Sequence, residues 1–151
     1  MNSHYNDSIL RSLRRITRAI DLYSKKLAAN HQLTGPQLVC LRVLSQVDQI
    51  SPSELSKQIS LSQATVTGIL DRLERRDLLT RQRSSKDKRR VNLKLTPTGQ
   101  HLVESAPTPL HQRFAEQLGA LPGDKQALID QVLAQVVEMM EAEYLDAAPM
   151  L

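Results

Sequence analysis

The stretch Leu61-Ser62-Gln63-Ala64-Thr65-Val66-Thr67-Gly68-Ile69-Leu70-Asp71-Arg72-Leu73-Glu74-Arg75-Arg76 decides the fold. Ser62 is a helix-capping residue type, and Leu61 before it can pack on Val66 as a hydrophobic staple. Val66, Ile69, Leu70 and Leu73 then recur at helical spacing and define one apolar side. Ala64, Thr67, Gly68, Asp71, Arg72 and Arg75 fall on the other half of the wheel. Such a helix buries one side and offers small and polar groups near its start, with arginines behind. A DNA major groove admits one helix, and its base edges carry a unique donor and acceptor code. A helix that reads them needs short polar groups of the kind at Ser62, Gln63, Ala64, Thr65 and Thr67. Its N-terminus adds backbone donors and a positive dipole for phosphate.

Upstream, two further helix starts of the same type precede it. Ser51-Pro52-Ser53-Glu54 opens a short helix with Leu55 and Ile59 inward. Thr34, Pro36 and Gln37 form a capping box with proline in the first turn, ahead of Leu38, Leu41 and Leu44. Downstream, the period changes at Leu78. Leu79, Arg81 and Arg83 alternate with Thr80 and Gln82. Val91, Leu93 and Leu95 alternate with Arg90, Asn92 and Lys94. Ser84-Ser85-Lys86-Asp87-Lys88-Arg89 lies between them. This predicts a two-stranded hairpin with a long basic tip. Three short helices and a basic hairpin make a winged helix-turn-helix. In it, Lys86, Lys88, Arg89 and Arg90 are expected to reach the neighbouring backbone or minor groove.

Beyond this lobe the pattern is helical. Ile9, Leu13, Ile16, Ile20, Tyr23 and Leu27 step by threes and fours. Helix resumes at Thr96-Pro97 and runs through Leu102, Val103, Ala106, Leu110 and Phe114, with a kink or break expected at Pro107 and Pro109. Leu121-Pro122-Gly123-Asp124 marks a turn. Leu128, Val132, Val136 and Met139 or Met140 form the stripe of a last long helix, and the tail from Asp146 is expected to fray. The Ile9–Leu27 and Leu128–Met139 stripes are too long and apolar for one small winged lobe to bury. The expected fold is mainly α with a small β-hairpin wing. Residues 1–33 supply an N-terminal dimerisation helix, 34–98 the winged helix-turn-helix, and 99–151 C-terminal dimerisation helices. The expected dimer interface holds Ile9, Leu13, Ile16, Ile20, Leu128, Val132, Val136 and Met139.

Composition agrees with a polyanion-facing lobe. The chain has 151 residues with a net charge of +4. Residues 1–50 carry 7 basic and 3 acidic groups, residues 51–100 carry 11 and 5, and residues 101–151 carry 2 and 8. A basic middle beside an acidic last third suits one segment facing a polyanion while the rest is held away. The single cysteine excludes an intramolecular disulfide framework and any cysteine-based zinc finger. No apolar run approaches a membrane span of roughly 18 residues, and no charged-then-apolar leader pattern opens the chain. A cytoplasmic protein without a membrane partner is expected.

The ordered set Leu61-Ser62-Gln63-Ala64-Thr65-Val66-Thr67, Leu70-Asp71-Arg72-Leu73-Glu74, Asp87-Lys88-Arg89 and Leu95-Thr96-Pro97-Thr98-Gly99 resembles the MarR family of bacterial transcription regulators, over nearly the whole chain. The resemblance implies a triangular homodimer whose terminal helices pair, with one winged lobe per protomer on double-stranded DNA. Half-sites would lie about one turn, or ~34 Å, apart on a pseudo-palindromic operator, and the protein would repress by occluding a promoter. It also implies that Arg89 enters the minor groove and that Asp87 orients it, whereas the residues alone allow Asp87 simply to make a turn. Arg72 and Arg75 would touch phosphate, or else pair internally with Asp71. Thr65 and Thr67 would read bases or only solvate the helix. Gly68 departs from the longer polar residue common there, which either permits close backbone approach or weakens base reading.

Other candidates are weaker. Cys40 lies among Leu38, Val39 and Leu41 and reads as a buried inert thiol rather than an oxidant sensor. His4, His31, His101 and His111 lack ligand spacing, so no metal or other cofactor is expected. No nucleophile with a base, paired carboxylates or phosphate loop can be assembled, so the chain reads as a non-enzyme. The other reading is a winged helix that binds a partner protein without DNA. The basic tip and small polar helix face argue against it. Members of the family respond to small aromatic acids, but four aromatics are few for such a pocket. Residues 13–22 and 33–38 resemble a subgroup that controls compatible-solute (ectoine-type) genes in osmotic stress. A small-molecule or ionic effector is therefore expected. Salt itself could serve, because each neutralised phosphate makes binding fall with ionic strength.

Overall fold

The computed structural model describes residues 3–140 and residue 142. The chain runs α1 (Ser3–His31), α2 (Gly35–Gln46), α3 (Pro52–Gln58), α4 (Gln63–Arg75), β1 (Leu79–Arg83), β2 (Val91–Leu95), α5 (Pro97–Ser105), α6 (Leu110–Gly119) and α7 (Gly123–Met139). This is the expected helical chain with one hairpin wing. The predicted tail from Asp146 lies outside the described residues.

The start signals act as their chemistry requires. Thr34 and Ser51 each accept the amide of the residue three places on, and Gln37 and Glu54 reach back to the cap amides. Ser62 accepts the Thr65 amide, and Thr96 accepts that of Gly99. The stops use a conformation that sequence spacing does not announce. Ser60 and Asp77 adopt left-handed φ of 58° and 55° just after α3 and α4. Each lets the next amide close back over the turn, Leu61 onto the Ser56 carbonyl and Leu78 onto that of Leu73. The polypeptide thus turns sharply from α3 into α4 and from α4 into the wing. Around Pro107 and Pro109 the helix breaks outright, with α5 ending at Ser105 and α6 starting at Leu110.

β1 and β2 pair antiparallel, with Leu79 opposite Leu95, Arg81 opposite Leu93 and Arg83 opposite Val91. A third, one-residue strand joins them: Ile50 bridges to Leu93, whose amide donates to the Ile50 carbonyl at 2.8 Å. A single bridging residue has no period, so the sequence did not reveal it. The core is aliphatic and gathers under the wing. Leu38, Leu41, Leu55, Leu70, Leu73 and Leu79 are fully buried, with Leu27 and Leu33 entering from the end of α1. Each such leucine stabilises by roughly 1.5–3 kcal/mol relative to exposure.

Gly99 occupies the tightest joint. A Cβ there would overlap the Leu78 carbonyl oxygen, which is backbone and cannot swing away. That oxygen also accepts the Thr96 amide at 3.1 Å. Gly99→Ala is therefore expected to destabilise the lobe by about 2–3 kcal/mol, read as a lower urea midpoint at unchanged slope. A midpoint equal to the parent's would show that the joint is loose.

The terminal helices contrast with this lobe. Neither α6 nor α7 has a buried residue. Ile9 and Ile16 on α1 are exposed, while Leu13 and Ile20 are half-buried. On α7, Leu128 is 58% and Met139 78% exposed, Val132 is exposed and Val136 half-buried. No described helix is long and apolar enough to cross a membrane.

Candidate nucleic-acid interface

The helix-turn-helix sets α4 with its apolar side in the core and its start in solvent. Val66, Ile69, Leu70 and Leu73 are buried, whereas Ser62, Gln63, Ala64, Thr65, Thr67, Gly68, Arg72 and Arg75 are all exposed. The exposed polar groups are ordered by the chain itself. The Ser62 and Thr65 hydroxyls lie 2.8 Å apart, and Gln63 Nε2 donates to Ser53 Oγ at 3.4 Å. Thr67 Oγ1 donates to the Gln63 carbonyl at 2.8 Å. With its proton engaged, Thr67 presents lone pairs and a methyl outward. That suits the donor edge of adenine or cytosine, or a thymine methyl. Thr67→Ala is therefore expected to change sequence preference more than total affinity, by about 1–3 kcal/mol at one base position. Equal losses on operator and random duplex, measured by gel retardation, would count against base reading there. Gly68 answers no need of the chain, since an added Cβ would meet nothing within 4 Å. The bare backbone it leaves faces outward.

Arg72 and Arg75 have no internal carboxylate among the described residues. Asp71, their expected alternative partner, is taken by Arg81: Nη2 lies 2.7 Å from Asp71 Oδ1 and Nη1 3.2 Å from Glu74 Oε1. Strand alternation puts Arg81 on the core-facing side of β1, opposite Leu93. From there it clamps the wing's base to α4. The sequence reading missed this role, although the alternation carried the signal.

The wing tip is folded by its own short side chains. Ser84 Oγ accepts the amides of Lys86 and Asp87, and Asp87 Oδ1 accepts the Arg89 amide at 2.9 Å. Asp87 thus makes the turn, and no contact joins its carboxylate to the Arg89 guanidinium among the described residues. Lys86, Lys88 and Arg89 are exposed and likewise lack an internal acidic partner there. Arg90 stands apart from them. Its Nη2 lies 2.9 and 3.0 Å from the two carboxylate oxygens of Glu54, and its Nε donates to Asn92. Glu54 also caps α3, accepting the Ser51 amide. That amide and then Arg90 hold its carboxyl below the usual carboxylate range. Arg90 therefore ties the wing to α3, a pairing hidden in sequence because Glu54 reads only as a capping residue.

Away from this surface, Cys40 is buried and its thiol is pushed up to about 12 by burial, so it stays protonated at neutral pH. The Tyr23 hydroxyl is buried without a hydrogen-bond partner among the described residues. Burial raises its pKa, and Arg42 opposes the rise.

Known proteins share this arrangement. Residues 33–91, from the end of α1 to the start of β2, match the model of the MarR family. The chain is 31% identical over 110 residues to the HTH-type transcriptional regulator FarR of Neisseria gonorrhoeae, covering 73% of this chain and 75% of that protein. It is 24% identical over 134 residues to the homoprotocatechuate degradative operon repressor of Escherichia coli, covering 89% and 90%. Among solved structures, the S. aureus MepR–DNA complex shares the fold with a TM-score of 0.63 at 21% identity, covering 85% of this chain and 96% of that one. The capped helix α4, the two-stranded wing and the likeness to FarR lead to one conclusion: this chain belongs to the MarR family, as a winged helix-turn-helix transcriptional regulator.

Proposed function

We propose that two copies of the chain bind one pseudo-palindromic operator and repress by occluding a promoter. Each lays α4 in a major groove, where Ser62, Gln63, Ala64, Thr65, Thr67 and Gly68 meet base edges and Arg72 and Arg75 meet phosphate. Lys86, Lys88 and Arg89 of each wing grip the flanking backbone or minor groove, and Asp87 shapes that tip. Arg90 acts one step back, through Glu54. The terminal segments, residues 1–33 and 99–151, form the dimer lobe, and residues 34–98 the DNA-binding lobe. The protein works in the cytoplasm, as a binding protein and not a catalyst. One observation carries the reading: the exposed, polar start of α4 and the wing-tip cations are ordered by the backbone yet left without acidic partners inside the chain, among the described residues. Selection of bound duplexes from a randomised pool, followed by gel retardation, tests it. Recovery of a two-fold symmetric site is expected, and failure to retard any duplex at low salt would overturn it.

We propose further that ionic strength is itself the signal, a reading prompted by the resemblance of residues 13–22 and 33–38 to a subgroup that controls compatible-solute genes in osmotic stress. Lys86, Lys88, Arg89, Arg72 and Arg75 give five cations per protomer. Each phosphate neutralised adds about 0.9 to the slope of log affinity against log salt. Ten neutralised phosphates in a dimer would give a slope near −9, so doubling the salt would weaken binding roughly 500-fold. Operator binding titrated with potassium glutamate is expected to fall steeply. A flat response would remove the proposal and leave DNA binding standing.

A further inference from the structure

Arg76, at the end of α4, joins the helix proposed to read DNA to the helix proposed to hold the dimer. Its backbone amide closes α4, donating to the Arg72 and Glu74 carbonyls. Its side chain leaves the helix. Nη1 donates to the Gln32 carbonyl at 2.6 Å, and Nη2 to the His31 carbonyl at 3.3 Å. His31 ends α1, and Gln32 follows it in a left-handed conformation with φ 54°. The last carbonyls of a helix lack intrahelical donors and carry the negative end of its dipole. A guanidinium fork satisfies two at once, which the point charge of a lysine cannot do with the same geometry. Among the described residues, these are the hydrogen bonds that join α1 to α4. The remaining link at this corner is apolar, with Leu27 buried and Tyr23 packed against the core. Apolar packing is non-directional and tolerates a pivot. Two hydrogen bonds from one planar group do not.

We infer that Arg76 is a positioning residue that fixes the angle between the recognition helix and the dimer helix, and so sets the half-site spacing the protein accepts. The inference rests on the proposed homodimer. In such a dimer α1 is one of the links that set the separation of the two α4 helices, beside the packing of α2 on α5 and the Arg42–Gln112 hydrogen bond from α2 to α6 at 3.3 Å. Any play at the α1–α4 corner is doubled by the two-fold axis. One base pair inserted between half-sites moves them apart by ~3.4 Å and rotates them by about 35°. A rigid corner rejects that displacement, and a loose one accommodates it. Arg76 is exposed, so its replacement leaves the core intact.

The test uses the full-length protein, Arg76→Gln and Arg76→Lys. The probes are a duplex selected from a randomised pool and its variants with one base pair added or removed between half-sites. Sedimentation and gel retardation are run across a salt series. The parent is expected to prefer the selected spacing by about tenfold or more, and both variants to narrow this to about twofold. Their salt slopes should match the parent's. Arg76→Lys decides the matter if Arg76→Gln does not fold. Three results would overturn the inference alone: a dimeric parent with no spacing preference, a dimeric parent whose spacing preference survives in both variants, or a slope lowered by about 1.8 in Arg76→Gln with preference intact, which marks two phosphates no longer neutralised. A parent that sediments as a monomer overturns the homodimer reading and this inference with it.

Discussion

Arg89→Ala is expected to weaken operator binding by two to four orders of magnitude while leaving the fold and the dimer unchanged. Arg89 lies exposed in the turn between β1 and β2, and its backbone is held by Asp87 Oδ1. Its guanidinium has no internal acidic partner among the described residues, so removing it breaks nothing inside the protein. On the proposed contact, the substitution removes a charge-assisted hydrogen bond to DNA, about 1.5–3 kcal/mol at each half-site. Two half-sites double the effect, and each 1.4 kcal/mol is about tenfold. The salt slope should shrink as well, by roughly 0.9 for each phosphate that is no longer neutralised. Arg90→Ala makes the contrast. Arg90 is bound to Glu54, so its removal loosens the wing's hold on α3. Affinity should fall through a misplaced wing, with the slope kept. Titration of both variants by gel retardation at several salt concentrations separates the two roles. Near-parental affinity for Arg89→Ala would refute the assignment of the wing tip to DNA.

The difference between these neighbouring arginines shows what a sequence reveals and what it withholds. Helix starts were legible because capping chemistry is local: Thr34, Ser51, Ser62 and Thr96 each act on an amide three residues away. The buried side of α4 was legible because periodicity is local too. The break at Pro107 and Pro109 followed from the missing amide and fixed φ of proline. Lys86, Lys88, Arg89 and Arg90 looked alike because a run of cations has one composition whatever each side chain meets. Arg90 parts from the others through Glu54, 36 residues away, and Arg81 through Asp71, 10 residues away. Arg76 parts from Arg75 through carbonyls 44 and 45 residues distant. For Arg90 and Arg76 no short window contains both partners, whereas for Arg81 the strand alternation did carry a signal. Backbone receptors such as the Gln32 carbonyl are also invisible in a one-letter code. Left-handed Ser60 and Asp77 escaped for a related reason, since neither is the glycine that usually marks such a stop.

The second large effect is expected on α7, which carries an apolar stripe that the described residues leave largely exposed. Leu128 and Val132 stand one turn apart on α7 and are both exposed, and Val136 continues the row. If that stripe is the seam of a two-fold dimer, each substitution is present twice in one interface. Val132→Asp then places two carboxylates in an apolar seam without partners, a penalty of about 3–5 kcal/mol for each if fully buried. The last third of the chain is already acidic, so no nearby surplus of cations offsets them. The solution mass measured by light scattering is expected to drop from twice 17.0 kDa to the monomer value. Operator binding should fall with it, because the second half-site is then bound as a separate event. The link between half-sites is worth a factor of about 10²–10⁴ in avidity. The winged lobe has its own buried core, so its helical signal and its weak binding to a single half-site should persist. A variant that stays dimeric and binds the full operator like the parent would place the dimer seam elsewhere.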